Sequence, residues 1–181
     1  MKKIIKIMIL LVAAIFLLVG CNNNTIAKRE EMIKESMLMV QEIISTIKVH
    51  DKEVLVFQEI DELRFVDSNC EVSKTITTLG SDFSVETNES TEVINSFDRN
   101  QLYKLNMNEE MLTNIQFDNE GNLSCEVTCE NFKNVFISSE LEIVGNAKIE
   151  FIYLDKRISE INITFTLLSG KNVSVNVNYG Y

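Results

Sequence analysis

Hydrophobic and polar positions along the chain follow three successive patterns. Thirteen unbroken apolar residues run from Ile7 to Val19. Between Thr25 and Lys48, apolar residues recur at spacings of three, four and seven, which predicts an amphipathic helix with Thr25 as its N-cap. From Val54 onward the period shifts toward two, which predicts β-strands. The chain therefore divides into a leading apolar segment, a helix and a strand-rich remainder.

The helical spacing also fits a coiled coil, but it covers only about three heptads, which is the lower limit for that assembly. A helix packed on the chain's own sheet is therefore the favoured interpretation. Farther along, Val93, Phe97 and Leu102 lie at helix-compatible spacing. One or two short helices are accordingly predicted between Asn88 and Leu112.

The carboxy-terminal part of the chain predicts an antiparallel meander with one polar face. Two alternating runs meet at Asp118-Asn119-Glu120-Gly121, where the glycine can adopt the positive φ that a short hairpin loop requires. Further strands are predicted from Asn134 onward. In the last of them, hydrophobic residues alternate with polar ones without a break. The hydrophobic positions are Val173, Val175, Val177 and Tyr179, and the polar positions are Ser174, Asn176 and Asn178.

Together these elements predict one α+β domain over residues 26–181, in which an amino-terminal amphipathic helix packs on a curved antiparallel β-sheet. A chain of 181 residues is long enough for one domain with a real core and short for two. Cystatin-like or NTF2-like cones and the half-barrels of lipoprotein carriers fit this description equally well. The pattern does not choose between them.

The leading segment has the layout of a secretion signal. Three lysines lie among the first six residues, ahead of the apolar run, and the run is short for a membrane span of ~20 residues. The tetrad Leu18-Val19-Gly20-Cys21 that ends it resembles the lipobox of bacterial lipoproteins. An uncleaved anchor helix and a buried structural role for Cys21 are the less favoured alternatives.

The lipobox resemblance implies that residues 1–20 are a signal peptide removed between Gly20 and Cys21, and that residues 21–25 form a tether. It also implies that the Cys21 thiol receives a diacylglycerol. Fatty acyl chains such as palmitate would then hold the protein on the extracytoplasmic face of the cell membrane, as in Gram-positive bacteria. Each buried methylene contributes roughly 0.8 kcal/mol, so two acyl chains anchor stably where one does not.

Net charge limits the partners that such a domain can bind. The whole chain has a net charge of −10. The part from Cys21 onward contains 27 carboxylates and 14 of the 17 basic side chains, which gives it a net charge of −13. A surface this acidic repels nucleic acids and anionic lipid headgroups. Nucleic-acid binding is therefore not expected, and attachment to a membrane has to come from the lipid on Cys21.

Three cysteines remain once Cys21 is acylated. Cys125 and Cys129 share a predicted strand face with Leu123 and Val127, so both are expected to point inward. Four residues along a strand span ~13 Å, which is too far for a disulfide between these two. Cys70 could pair with either of them, and the odd count predicts at least one free thiol, with a buried free cysteine as the favoured interpretation.

No catalytic, metal or cofactor site is predicted. His50 is expected at the end of the first helix, where it can interact with the last carbonyls, and its neighbour Asp51 does not make it a general base. The acidic runs at Gln58–Glu62 and Met107–Met111 lack the spacing of a calcium loop. They are interpreted as solvated acidic faces.

The sequence therefore favours a lipid-anchored extracytoplasmic lipoprotein with a non-catalytic binding or accessory role at the membrane surface, whose partner is an unknown protein. The alternative is a carrier of a hydrophobic ligand held between helix and sheet. An enzyme is the third possibility, for which His50, Glu59, Asp61 and Glu62 are the side chains to test.

Overall fold

In the computed structural model of the protein, the described residues are 25–102, 105–136 and 141–181. The predicted signal peptide, the predicted lipobox and nearly all of the predicted tether lie outside these ranges. The helices and strands in chain order are α1 (Ile26–Met39), β1 (Glu42–Asp51), β2 (Val54–Val66), β3 (Asn69–Leu79), β4 (Val85–Ile94), β5 (Leu112–Phe117), β6 (Leu123–Val127), α2 (Phe132–Val135), β7 (Ile143–Leu154), β8 (Arg157–Leu167) and β9 (Asn172–Gly180).

The strands form one open antiparallel sheet. In the part of the chain that the structure describes, nine strands follow the order β4-β3-β2-β1-β9-β8-β7-β6-β5. Consecutive strands pair from β1 to β4 and from β5 to β9, and β1 pairs with β9 to join these two groups. The result is a β-rich α+β domain in which β4 and β5 are the two edges.

The amino-terminal helix is shorter than predicted. Thr25 caps it by accepting a hydrogen bond from the Lys28 N–H at 3.3 Å, but the helix ends at Met39 instead of continuing to Lys48. Residues 42–51 form β1, in which Ile43 and Ile47 lie four positions apart on the same face. Because an isoleucine pair at that spacing also fits a helix, periodicity alone placed the boundary too late.

The helices predicted between Asn88 and Leu112 are mostly wrong. Residues up to Ile94 belong to β4, and short 3₁₀ turns follow at Arg99–Leu102 and Glu109–Met111. The strand predicted from Asn134 is wrong at its start, because the chain makes the one-turn helix α2 before β7 begins. Pairing with a neighbouring strand decides the conformation of β4, since its own residues carry no clear period.

The predicted carboxy-terminal meander is confirmed. Strands β5 to β9 pair in sequence, and Gly121 has a φ of +82° in the loop of the first hairpin. The fully buried core lies between these strands and α1, and it includes Ile33, Ile149 and Phe151. Burying each such side chain contributes about 1.5–3 kcal/mol.

Two polar side chains of α1, Arg29 and Ser36, are also buried. The Ser36 hydroxyl donates to the Met32 carbonyl at 2.7 Å and accepts from the Ile158 N–H at 3.2 Å, which fixes the helix to β8. The Arg29 guanidinium lies over the Tyr153 ring at 4.7 Å. Its long side chain is buried against the Tyr153 and Phe117 rings, which pack on the core.

Candidate functional site

The sheet divides into two parts that differ in what lies against them. We call β5 to β9 together with α1 the covered half, and β2, β3 and β4 the uncovered half. Among the buried apolar side chains, Cys70 alone comes from the 34 residues of the uncovered half. Every residue of β4 is exposed. Strand β1 lies between the halves and contacts the core through Ile47 and Val49.

A charged row crosses the uncovered half on the face that continues the core. Residues two apart on a strand share a face, so Glu59 and Asp61 lie on the same side as the core residue Ile47, which pairs with Glu59. Lys74 of β3 pairs with Asp61. Its ammonium lies 2.8 Å from a Glu59 oxygen and 3.7 Å from an Asp61 oxygen. Glu62, the third carboxylate of the run, falls on the opposite face.

The electrostatics of this row are those of a structural ion pair. Burial raises the pKa of the Asp61 carboxyl above its ordinary value of 3.8, while the Lys74 ammonium opposes that change. The hydrogen bond to Glu59 raises the pKa of Lys74. A lysine that acts as a general base or nucleophile needs a lowered pKa. Lys74 is thus held as a cation between two acids.

One end of the uncovered half is tied to the helix. Phe65 packs on Phe97 with ring centroids 5.6 Å apart, and the Arg99 guanidinium lies 4.5 Å from the Phe65 ring centroid. Arg99 also donates hydrogen bonds to the carbonyls of Val40 and Leu38, the latter at 3.3 Å. These contacts hold the loop after β4 against the end of α1.

The uncovered half is strongly acidic. Residues 54–94 contain nine carboxylates and two cations, a net charge of −7. The acids are present on both faces, because Glu86 and Glu92 pair with residues on the face that carries Lys74, while Glu89 pairs with Thr75 on the other. More than half of the net negative charge of the domain, −7 of −13, is therefore concentrated where the apolar core is absent.

The two edges of the sheet differ as well. Strand β4 pairs with β3 over ten consecutive residues without a register shift. Strand β5 has six residues, its pairing with β6 shifts between Thr113 and Gln116, and Asn114 has a φ of +52°. A bulged, short edge resists further pairing, whereas a long regular one can accept another strand.

Of the side chains singled out from the sequence, the structure brings Glu59 and Asp61 together, through Lys74. Gly20 and Cys21, the predicted cleavage and lipid-attachment site, lie outside the described residues. His50 lies in β1 beside a register shift, not at a helix end as predicted. It borders a shallow cleft of about 320 Å³ together with Lys148 and Thr164. The strand that begins near residue 42 places His50 at the end of a hairpin.

The cysteine predictions are confirmed in part. Cys70, Cys125 and Cys129 are all free thiols, so Cys70 pairs with neither of the others. Cys125 is buried on β6, and burial raises its pKa to about 12. The prediction that Cys129 points inward is wrong: β6 ends at Val127, and Cys129 lies exposed in the following turn. At its end the strand no longer imposes the alternation on which the prediction relied.

Further surface features were not indicated by the sequence. A cleft of about 570 Å³ lies between α1 and the 3₁₀ turn, bordered by Glu31, Leu38 and Arg99. No cluster of three or more His, Cys, Asp or Glu side chains suited to a metal ion occurs within residues 25–102, 105–136 and 141–181. None of the helices described here is long and apolar enough to cross a bilayer.

Comparison with known proteins adds little. No protein-family model matches the chain, and neither does any curated protein sequence. Among solved structures, a redesigned β-barrel, mFAP1, bound to DFHBI, is similar over 80% of this chain and 98% of that chain, with 10% sequence identity and a TM-score of 0.26. At this TM-score the likeness supports no conclusion about the function of the chain.

Proposed function

We propose that the protein is a lipid-anchored extracytoplasmic lipoprotein with a non-catalytic binding role, and that the uncovered half of the sheet is its binding surface. One observation carries the binding role: three strands project from the domain with a single buried apolar side chain, Cys70, and a net charge of −7 over residues 54–94. Binding surfaces are commonly drawn from the least stable part of a fold. A partner that covers these strands would supply the contacts they lack.

The anchor part of the proposal rests on the lipobox Leu18-Val19-Gly20-Cys21. Labelled palmitate should enter the wild-type protein and Cys129→Ala, and it should not enter Cys21→Ala. The Cys129 variant is a matched control, because it removes a thiol that is exposed in the folded domain. Equal labelling of wild type and Cys21→Ala would end the lipoprotein interpretation.

The binding role is tested by photocrosslinking in the native membrane. A photoreactive residue replaces Thr91 on β4 in one variant and Thr164 on β8 in the other. Both are exposed threonines on the face opposite the core, so the pair differs only in the half of the sheet that carries the probe. The proposal predicts a discrete adduct from position 91. Adducts from position 164 alone, or from neither position, would contradict it.

The carrier of a hydrophobic ligand is the second candidate. Phe57, Leu63 and Val72 are half-buried on the face that continues the core, and an apolar molecule could lie against them. Under the helix, in contrast, Ile33, Ile149 and Phe151 already fill the space. Native mass spectrometry of the chain from Asn22 should detect co-purified lipid if the protein is a carrier, and Leu63→Asp should remove it. A mass without ligand would exclude the carrier.

A further inference from the structure

No strand within residues 25–102, 105–136 and 141–181 pairs with the outer side of β4, which leaves a line of backbone hydrogen-bonding groups at that edge. It is ten residues long, it lacks proline, and its pairing with β3 is regular from Val85 to Ile94. As the last strand of the sheet, it directs alternate N–H and C=O groups away from β3. A long regular edge of this kind is a template for one more strand, unless charge or a bulge opposes the pairing.

The carboxylates of β4 follow a regular spacing. Glu86, Glu89 and Glu92 are three residues apart. Because side chains alternate between faces, Glu86 and Glu92 lie on the face that continues the core and Glu89 lies on the other. Val85 and Val93, at opposite ends of the strand, are 65% and 55% exposed. The edge thus has apolar ends and three acids between them.

This charge pattern decides which occupant the edge accepts. A second copy of the chain, paired through its own β4, would place six carboxylates along a single seam. Like charges across a strand pair are destabilising, and opposite charges are favourable by a similar amount. The three glutamates therefore oppose self-association, and they favour a strand of the opposite sign.

We infer that β4 binds an extended cationic segment of a partner protein by strand addition, and that this segment carries basic residues at every third position between apolar ends. Spacing by three places each basic side chain opposite one glutamate on the same face of the sheet, in either strand direction. Main-chain hydrogen bonds would supply affinity, and the three ion pairs would supply register. The inference rests on the proposed function, since it names the partner of the same surface.

The register is tested with two peptides of equal composition. Each has ten residues, with valine near both ends, three lysines and threonine elsewhere. The lysines are three apart in the first peptide and two apart in the second, where all three fall on one face and only one can meet a glutamate directly. Against the full chain in nonionic detergent, the first peptide should bind about tenfold more tightly by fluorescence anisotropy. Equal affinities would overturn the inference.

Strand addition is separated from simple charge attraction by backbone methylation. Alternate N–H groups of an added strand face β4, and the others face solvent. Methylating the first peptide at even positions and at odd positions gives two versions, of which one should lose binding and the other should keep it. If both versions bind as the unmethylated peptide does, the contact is electrostatic only and the inference fails.

The location is tested by removing charge from one half at a time. The β4 triple variant should weaken binding of the first peptide by about tenfold or more, and the control triple variant, with the same change in net charge, by less than about threefold. The β4 variant combines Glu86→Gln, Glu89→Gln and Glu92→Gln. The control variant changes exposed acids of the covered half and of the turn before it, by Glu109→Gln, Glu110→Gln and Glu150→Gln.

The outcomes separate this inference from the proposed function. If crosslinking from position 91 captures a partner but neither peptide binds, the strand-addition inference fails and the binding role stands. If no adduct forms at position 91, the binding role itself fails. If the protein is a dimer at neutral pH and becomes a monomer when β4 is altered, a second copy is the occupant of the edge and the inference is overturned.

Discussion

The covered and uncovered halves share one hydrogen-bonded sheet and differ in almost everything else. Ile149 and Phe151 in the covered half are fully buried, whereas all ten residues of β4 are exposed. Strand pairing is regular from β2 to β4, yet that regularity comes without a core. Backbone pairing can therefore extend a sheet well beyond the region in which side-chain burial stabilises it.

The uncovered half is held in place by its connections. Three strands with little apolar burial are marginal by themselves, but β2 pairs with β1 along ten positions, and Arg99 fastens the far loop to the end of α1. Weak cross-strand contacts such as that between the Thr77 and Thr87 hydroxyls, 3.3 Å apart, add to these. We expect this half to open before the covered half does.

Truncating one phenylalanine in each half should separate them most clearly. Phe151→Ala removes a fully buried ring and is expected to lower the free energy of unfolding by about 3–5 kcal/mol. Phe57→Ala, at a half-buried position outside the core cluster, should lower it by about 1 kcal/mol or less. Urea unfolding of the chain from Asn22 measures both. Similar losses would mean that the uncovered half has a core of its own.

Arg99 should matter mainly to the uncovered half. Arg99→Ala removes two charge-assisted hydrogen bonds to carbonyls and the contact with the Phe65 ring, which together should lower stability by about 1–2 kcal/mol. Hydrogen exchange should rise in β3 and β4 and stay unchanged in β8. Arg64→Ala, which removes an exposed ion pair with Glu42, is the control and should leave exchange unaffected in all three strands.

One carboxylate in each half should show opposite pH dependence. Burial raises the pKa of Asp61, so the native state binds this proton more tightly than the unfolded state does. The contribution of Asp61 to the stability of the wild type therefore falls as pH rises from 3.8 through the native pKa. Asp61→Asn removes this cost. It should stabilise the protein at pH 7 by well under about 1 kcal/mol, because solvent screens the group, and the gain should vanish as pH falls toward 3.8.

Asp118 in the β5–β6 turn should behave in the opposite way. Its carboxylate accepts hydrogen bonds from the Asn122 side chain and from the backbone of Asn122 and Glu120, which lower its pKa below 3.8. Asp118→Ala should destabilise the protein at neutral pH, and the difference should disappear only below pH 3.8, where the wild-type carboxylate is protonated. Thermal unfolding between pH 3 and 7 measures both variants. The same sign for both would contradict the assigned causes.

The difference between the halves also explains which elements the sequence could predict. Strand β9 alternates clearly because one of its faces contacts the core and the other faces water. Strand β4 has no buried face, so its residues show no alternation. The spacing of Val93, Phe97 and Leu102 therefore predicts a helix that does not form. In the structure Phe97 packs on Phe65, Leu102 packs against the core, and Val93 is exposed. A periodic signal needs a buried face to produce it.

The candidate site could be predicted only in part. The sequence places Glu59 and Asp61 on one strand face, because residues two apart share a face. It does not reveal that Lys74 lies between them, since that depends on the register of β2 with β3, which is set by turn and packing together. The acidic excess of residues 54–94 is readable from the sequence. The sequence does not reveal that, within the part of the chain that the structure describes, no layer covers these residues.

The central claim, that one sheet contains a stable half and a half that opens more easily, is tested most directly by its own cysteines. Cys70 in β3 and Cys125 in β6 are both buried, so each reacts with a thiol reagent only after its strand opens. In the chain from Asn22 with Cys129→Ser, Cys70 should react at least about tenfold faster, with a weaker dependence on urea. Equal rates with equal urea dependence would show a single cooperative unit and contradict the division.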